Sequence, residues 1–282
     1  MSRNDPERMG AHDSANAPST NNLQFVAPTE FVELPSKGLA YPETHPLHNK
    51  DVIEIRYMTA KDEDILSSQT LLKKGIAIER FMQNIIVDKA IKTSTLLIGD
   101  RNAIIIAARR SGYGSDYETK VTCPACGEQD HCLFDLNNPE IRETSVDDQE
   151  FNISPTNSGT FLVKAPLTGY NIELRLLTGK EEIELGTKMR NRQKRKLADA
   201  MVSDQLRTMI VSVEGHKDRQ VVNSYVNSIT TQDSRYLRLA LKAITPDVRV
   251  AEDFECPSCG HEQELEVPFG AAFFWPDRSI YG

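Results

Sequence analysis

Ile53, Ile55 and Tyr57 alternate with Glu54 and Arg56, the period of a half-buried strand. Thr59 follows as a helix cap, with Asp62 placed to complete a capping box by returning a hydrogen bond to the cap's own N-H. The apolar positions then take helical spacing in LSSQTLLKK and IERFMQNIIV, which Gly75 separates. A third helix is expected over DRNAIIIAARR at 100-110, started by Asp100 as its cap and ended by Gly112 and Gly114.

The same order recurs further on. TFLVKAP at 160-166 predicts a strand that hairpins through Thr168-Gly169 into NIELRLL. Thr178 and Glu181 repeat the capping box. A long helix around 190-212, a turn at VEGHKD (213-218), a helix at 220-229 and DSRYLRLALKA at 233-243, capped by Asp233, come next.

These stretches align. IEIRYMTAKDE at 53-63 lies opposite IELRLLTGKEE at 172-182, and the helix beginning at Asp100 lies opposite the one beginning at Asp233. The chain therefore reads as an internal duplication, with repeat one over 51-136 and repeat two over 170-269. The second copy is the longer one, between its two matching blocks. The expected fold class is α+β: two mainly helical halves joined by a ribbon built from two CPxCG words.

The flanks differ in kind. Residues 1-22 hold few apolar side chains to offset ordering entropy, so a disordered tail is expected. Residues 23-50, broken by Pro28, Pro35, Pro42 and Pro46, suggest an extended arm. Residues 137-169 link the halves and contain the first strand of the later hairpin. Residues 270-282 form a tail in which Phe273, Phe274 and Trp275 are adjacent. The rings can pack on their own ribbon or dock on a neighbouring subunit, since aromatics dominate interface energetics.

Composition narrows the function classes. At 282 residues with 39% hydrophobic content the chain can fill a real core, and its net charge of -8 disfavours a general nucleic-acid binder. No apolar run is long enough to span a bilayer and the N-terminus has no apolar signal core, so neither membrane insertion nor secretion is expected. Proteins are the expected partners.

CPACG at 123-127 and CPSCG at 256-260 carry four of the five cysteines. Each word is a knuckle, two thiolates three positions apart on a tight turn that glycine permits. Together Cys123, Cys126, Cys256 and Cys259 supply a closed four-sulfur set, the donor arrangement of structural zinc, with one ion per chain. Iron, held by similar loops in rubredoxins, is the alternative ion, and a redox dithiol pair the alternative chemistry. Cys132 alternates with Phe134 and Leu136 as Leu265 does with Val267 and Phe269, which marks it as core rather than ligand. His131 and His261 flank the knuckles as solvent-facing residues or as donors to sulfur.

The basic run KMRNRQKRK at 188-196 can attract phosphate or an acidic partner, but EEIEL just upstream offsets it and favours a solvated helix face. No nucleophile elbow, phosphate-binding glycine loop or His-Glu zinc motif is present, so neither an enzyme nor a small-molecule substrate is expected.

ELPSKGLAYP at 33-42, IRYMTAKDEDILSSQTLLKKG at 55-75, LLIGDRNAIIIAARRSGYG at 96-114, the CPACG knuckle and FFWPD at 273-277 together resemble the baseplate hub and hub-assembly proteins of T-even-like contractile-tailed bacteriophages. The resemblance implies a non-enzymatic protein of the tail baseplate, assembled in the host cytoplasm and contacting other tail proteins. It is either a built-in component or a hub-assembly chaperone absent from the mature virion. A zinc-ribbon nucleic-acid-binding regulator and a rubredoxin-like electron carrier are the alternatives from other classes.

Overall fold

The computed structural model describes residues 26-143, 151-195, 200-267, 269 and 271-274. Its elements run β1 (Thr29–Glu33), β2 (Val52–Arg56), α1 (Ala60–Ser67), α2 (Gln69–Lys74), α3 (Ala77–Ile85), α4 (Ile98–Tyr113), β3 (Asp116–Thr122), β4 (Gln129–Asp135) and β5 (Glu140–Arg142). They continue with β6 (Ser154–Pro155), β7 (Thr160–Lys164), β8 (Asn171–Arg175), α5 (Gly179–Lys194), α6 (Met201–Met209), β9 (Ile210–Val213), α7 (Arg219–Ser228) and α8 (Thr231–Ile244). The last strands are β10 (Asp247–Arg249), β11 (Ala251–Glu255) and β12 (Glu262–Glu266), and a short 3-10 turn covers Ala271–Phe274. The architecture is mixed α/β. Strands β6-β7-β8-β9 form one antiparallel sheet, and β1-β2, β3-β4, β5-β10 and β11-β12 form two-stranded ones. Among the described residues no helix is long and apolar enough to cross a membrane.

Helix α4 sits at the centre. Ala103, Ile104, Ile105, Ile106, Ala107 and Ala108 are all buried, and a helix without a polar face must be covered on every side. Strands β1 and β10 and the 271-274 turn supply that cover. The absence of a side chain at Gly99 lets the start of α4 meet the chain after α8. A Cβ there would lie 2.1 Å from the Pro246 carbonyl oxygen.

Two hairpins share the same register. Val32 pairs with Ile53 in β1-β2, and Val163 with Ile172 in β7-β8. Each leads into a capping box. Asp62 accepts from the N-H and hydroxyl of Thr59, and Glu181 from those of Thr178. Each box acid also pairs with the arginine that ends the preceding strand, Arg56 with Asp62 at 2.7 Å and Arg175 with Glu181 at 3.2 Å. Burial alone would raise the Asp62 carboxyl, but hydrogen bonds from Arg56, Thr59 and Asn84 outweigh it and hold the group below its ordinary range.

Four expectations need correction. The segment 23-50 is not an extended arm from residue 29 onward. β1 pairs along its length with β2, and Leu34, Tyr41 and Leu47 are buried, because β2 offers a strand edge and α4 an apolar face. The single long helix expected around 190-212 is not formed: α5 ends at Lys194, and a separate helix, α6, runs from Met201 to Met209. Ile210–Val213 is β-branched at three of its four positions and joins the edge of β8 as β9.

Asp100 and Asp233 do not cap their own helices. The cap positions are Leu97 and Thr230, and the Thr230 hydroxyl accepts from Asp233 N-H at 3.1 Å. Both carboxylates instead hold the turn that follows the first strand of a hairpin. Asp100 accepts from Ser36 N-H at 3.0 Å, Ser36 Oγ at 2.7 Å and Tyr41 Oη at 2.7 Å, while Asp233 accepts from Leu167 N-H at 2.9 Å and Thr168 N-H at 3.2 Å. Finally, the stretch 137-169 is more than a connector. Its β5 pairs with β10, and its β6 covers the outer edge of β7. Residues 1-22 lie outside the described residues.

Candidate metal centre

The two CPxCG words fold into matching turns. Cys123 N-H donates to Glu128 O at 2.9 Å and Gly127 N-H to Cys123 O at 2.9 Å, while Cys256 N-H donates to His261 O at 2.9 Å and Gly260 N-H to Cys256 O at 2.8 Å. Gly127 at φ 78° and Gly260 at φ 66° take the left-handed conformation that closes each turn. Hairpin β3-β4 carries the first knuckle at its tip, and β11-β12 the second.

The tips meet. Cys123 Sγ lies 3.7 Å from Cys259 Sγ, Cys126 Sγ lies 3.7 Å from Cys256 Sγ, and all four sulfurs fall within 4.8 Å of one another. A disulfide needs about 2.05 Å, so these are not bonded pairs. A tetrahedron with metal-sulfur bonds of about 2.3 Å has an edge of about 3.8 Å, close to the two short separations. Each short pair takes one sulfur from each knuckle. Cys123 and Cys256 are buried, whereas Cys126 and Cys259 are exposed.

The electrostatics fit a cation. The backbone N-H of Cys126, assisted by that of Ala125, points at Cys123 Sγ and brings that thiol down to about 6 against the effect of desolvation. Glu128 N-H lowers Cys126, yet desolvation and the thiols of Cys123 and Cys256 outweigh it and leave the group raised. His261 N-H likewise lowers Cys259, and desolvation with the thiols of Cys126, Cys256 and Cys123 pushes it up to about 12. The Cys123 thiolate forms readily in this cluster, whereas Cys126 and Cys259 resist adding a second negative charge beside it. A divalent ion removes that resistance by supplying the opposite charge.

The remaining candidates fall elsewhere. Cys132 is buried on β4 opposite Thr119 with its thiol raised by desolvation, then by Glu252 and Asp130, as a core residue should be. His131 Nδ1 sits 3.1 Å from Glu118 Oε1 on the exposed face of β3-β4. His261 contributes its backbone carbonyl and N-H to the second knuckle. The described part of the basic run lies on α5 and at its end, where Arg192 reaches Asp204 at 3.3 Å.

Phe273 and Phe274 are buried within the chain. Phe273 packs 4.8 Å from the Tyr117 ring and Phe274 4.8 Å from the Phe81 ring, so these two side chains fasten the C-terminal turn to α3 and β3. Trp275 lies outside the described residues. The buried set Ser36, Tyr41 and Asp100 went unforeseen in the sequence, because its members meet across 59 and 64 positions.

Neither the curated proteins nor the solved structures compared with the chain gave a match. The family model of the T4 bacteriophage base plate protein does match, over residues 29-275, which takes in both hairpins, the central helix and both knuckles. The chain thus belongs to the T4 bacteriophage base plate protein family.

Proposed function

We propose that the chain is a non-enzymatic scaffold of the tail baseplate, in the hub region, whose two duplicated halves are stapled by one zinc ion. The observation that carries this reading is the sulfur cluster, to which each knuckle gives two thiols and each short separation joins one knuckle to the other. An ion there closes a loop that runs from Cys126 to Cys256 and fixes the mutual orientation of the helices between. Fixed orientation is what a scaffold supplies to its neighbours. The four-thiolate donor set, complete without water, favours zinc in a structural role over a catalytic one.

Several correspondences support the duplication. The hairpins share a register, both capping-box acids pair with a strand arginine, and Asp100 and Asp233 tie down equivalent turns. On this reading repeat one spans 51-136 and repeat two 170-269, and β1 and β7 extend the likeness backwards. Family membership supports tail proteins as the partners and the virion tail as the location. The hub assignment rests on the resemblance of the sequence blocks.

Mass spectrometry of purified particles, with metal analysis of the purified chain, tests both parts. Presence in baseplate fractions with one zinc per chain is the expected result. Presence in infected-cell lysate with absence from particles turns the component into an assembly factor. A red, iron-containing preparation overturns the zinc assignment.

A further inference from the structure

The two histidines in the loop between β1 and β2 carry opposite tautomers. Leu47 N-H donates to His45 Nδ1 at 3.2 Å, so that nitrogen holds a lone pair and no proton. The ring proton is therefore on Nε2, which donates to Thr95 Oγ1 at 2.8 Å, while the Thr95 hydroxyl gives its own hydrogen to Lys92 O at 2.7 Å. His48 is the reverse. Its Nδ1 meets the Tyr41 carbonyl oxygen at 2.7 Å and must donate, and its Nε2 accepts from Asn49 Nδ2 at 3.0 Å.

A second proton affects the two rings differently. On His48 it goes to Nε2, beside the side-chain amide of an exposed asparagine, and the bond to Tyr41 O survives. On His45 it goes to Nδ1, where a new N-H would confront the Leu47 N-H, a backbone donor left without an acceptor. His45 is half-buried and stacked on the Tyr41 ring, with centroids 4.3 Å apart, and Tyr41 Oη is itself held by Asp100 and Leu97 N-H. The ring face can attract a cation, but among the described residues no carboxylate pairs with His45. Of the charged groups around it, Asp100 is taken by Ser36 and Tyr41 and Arg101 by Glu79, while Glu43, Lys50 and Lys92 are exposed. Burial holds the His45 imidazole below its ordinary range.

The loop also reaches the other sheet. Ala40, next to Tyr41, lies against the turn that precedes β7, where a Cβ at Gly159 would sit 2.7 Å from Ala40 O. The loop thus connects the turn at Thr93–Thr95 and the start of α4 with the β6-β7-β8-β9 sheet.

We propose that His45 is an acid-sensitive latch: protonation at Nδ1 expels its ring from between Leu47 and Thr95, frees residues 41-49 from the turn at 93-95 and loosens the Ala40 contact with the turn before β7. The open loop takes the proton and the closed loop refuses it. The latch therefore holds above the ordinary imidazole value of about 6.5 and weakens as pH falls below it. This window lies well above the one in which the carboxyls of Asp62 and Glu181 lose their effect.

Amide hydrogen exchange on the full chain, corrected for the intrinsic rate, tests this together with 15N spectra of the imidazoles. At about pH 7.5 the spectra should show His45 protonated on Nε2 alone and His48 on Nδ1 alone. At about pH 5.5, one unit below the ordinary value, protection of the Leu47 amide should have fallen several-fold, about tenfold at most, while amides of α4 keep theirs. His45→Asn offers a neutral acceptor near the position of Nδ1 and should abolish the pH dependence, whereas His48→Asn should leave it. Leu47 protection that does not change with pH, a dependence that survives His45→Asn or that α4 shares equally, or a proton on His45 Nδ1 at about pH 7.5 overturns the proposal. The imidazole spectra and the exchange of the parent decide the matter even where His45→Asn fails to fold.

Discussion

Cys256→Ser removes one sulfur from a four-sulfur set and with it the proposed closure of the chain from Cys126 to Cys256, a separation of 130 residues. Treated as a cross-link on an otherwise flexible chain, a loop of that length is worth about 5 kcal/mol of unfolded-state entropy at 25 °C. The ion's gross binding energy is larger, about 10 kcal/mol or more, but part of it offsets thiol deprotonation. About 5 kcal/mol is therefore the lower end of the expected loss. For a chain of this size a change of 1 kcal/mol moves the melting midpoint by about 2 to 4 °C, which gives a fall of roughly 10 to 20 °C. Differential scanning calorimetry of parent and variant, with zinc counted on the same samples, measures it. A strong chelator on the parent should reproduce the fall, and added zinc should reverse it for the parent only. Equal melting of parent, chelated parent and Cys256→Ser would refute the staple.

Other perturbations reach the frame around it. Asp100→Ala strands Ser36 N-H, Ser36 Oγ and Tyr41 Oη in a buried site, so a loss of about 3 to 5 kcal/mol is expected by urea unfolding, with faster hydrogen exchange over 36-41. Gly99→Ala drives a Cβ to 2.1 Å from Pro246 O, a backbone atom that cannot simply rotate away, and should cost about 2 kcal/mol or more by the same measurement. The depressed carboxyls of Asp62 and Glu181 bind fewer protons folded than unfolded. Their stabilisation is thus present above the ordinary carboxylate range of about 4 and lost as pH falls through their folded values. Unfolding free energies across acid pH should show this loss, and Asp62→Asn should make the profile shallower.

What the sequence made legible was local. The capping boxes at Thr59 and Thr178, the hairpin turning at Gly169 and the alternation that buries Cys132 each depend on residues within a few positions of one another. The cysteine words were legible for a different reason, since four thiols in two identical turns suit few purposes other than sharing an ion. Long-range pairing was not legible. Four prolines argued for an open arm, yet β1 finds β2 across a long loop, and only the fold brings Ser36 to Asp100. Ile210 to Val213 continued a helical pattern until a strand edge at β8 outcompeted it. Phe273 and Phe274 looked equally suited to a neighbour or to their own chain, and the cover that α3 and β3 offer decided between these.

The uneven burial of the four cysteines bears on when an ion could enter. Cys126 and Cys259, one from each knuckle, face solvent while their partners lie inside. The ion proposed for this cluster can therefore reach it from outside after both hairpins have formed, and leave by the same side. On the proposed zinc reading, folding of the hairpins need not wait for the ion, and the rigidifying step can follow it.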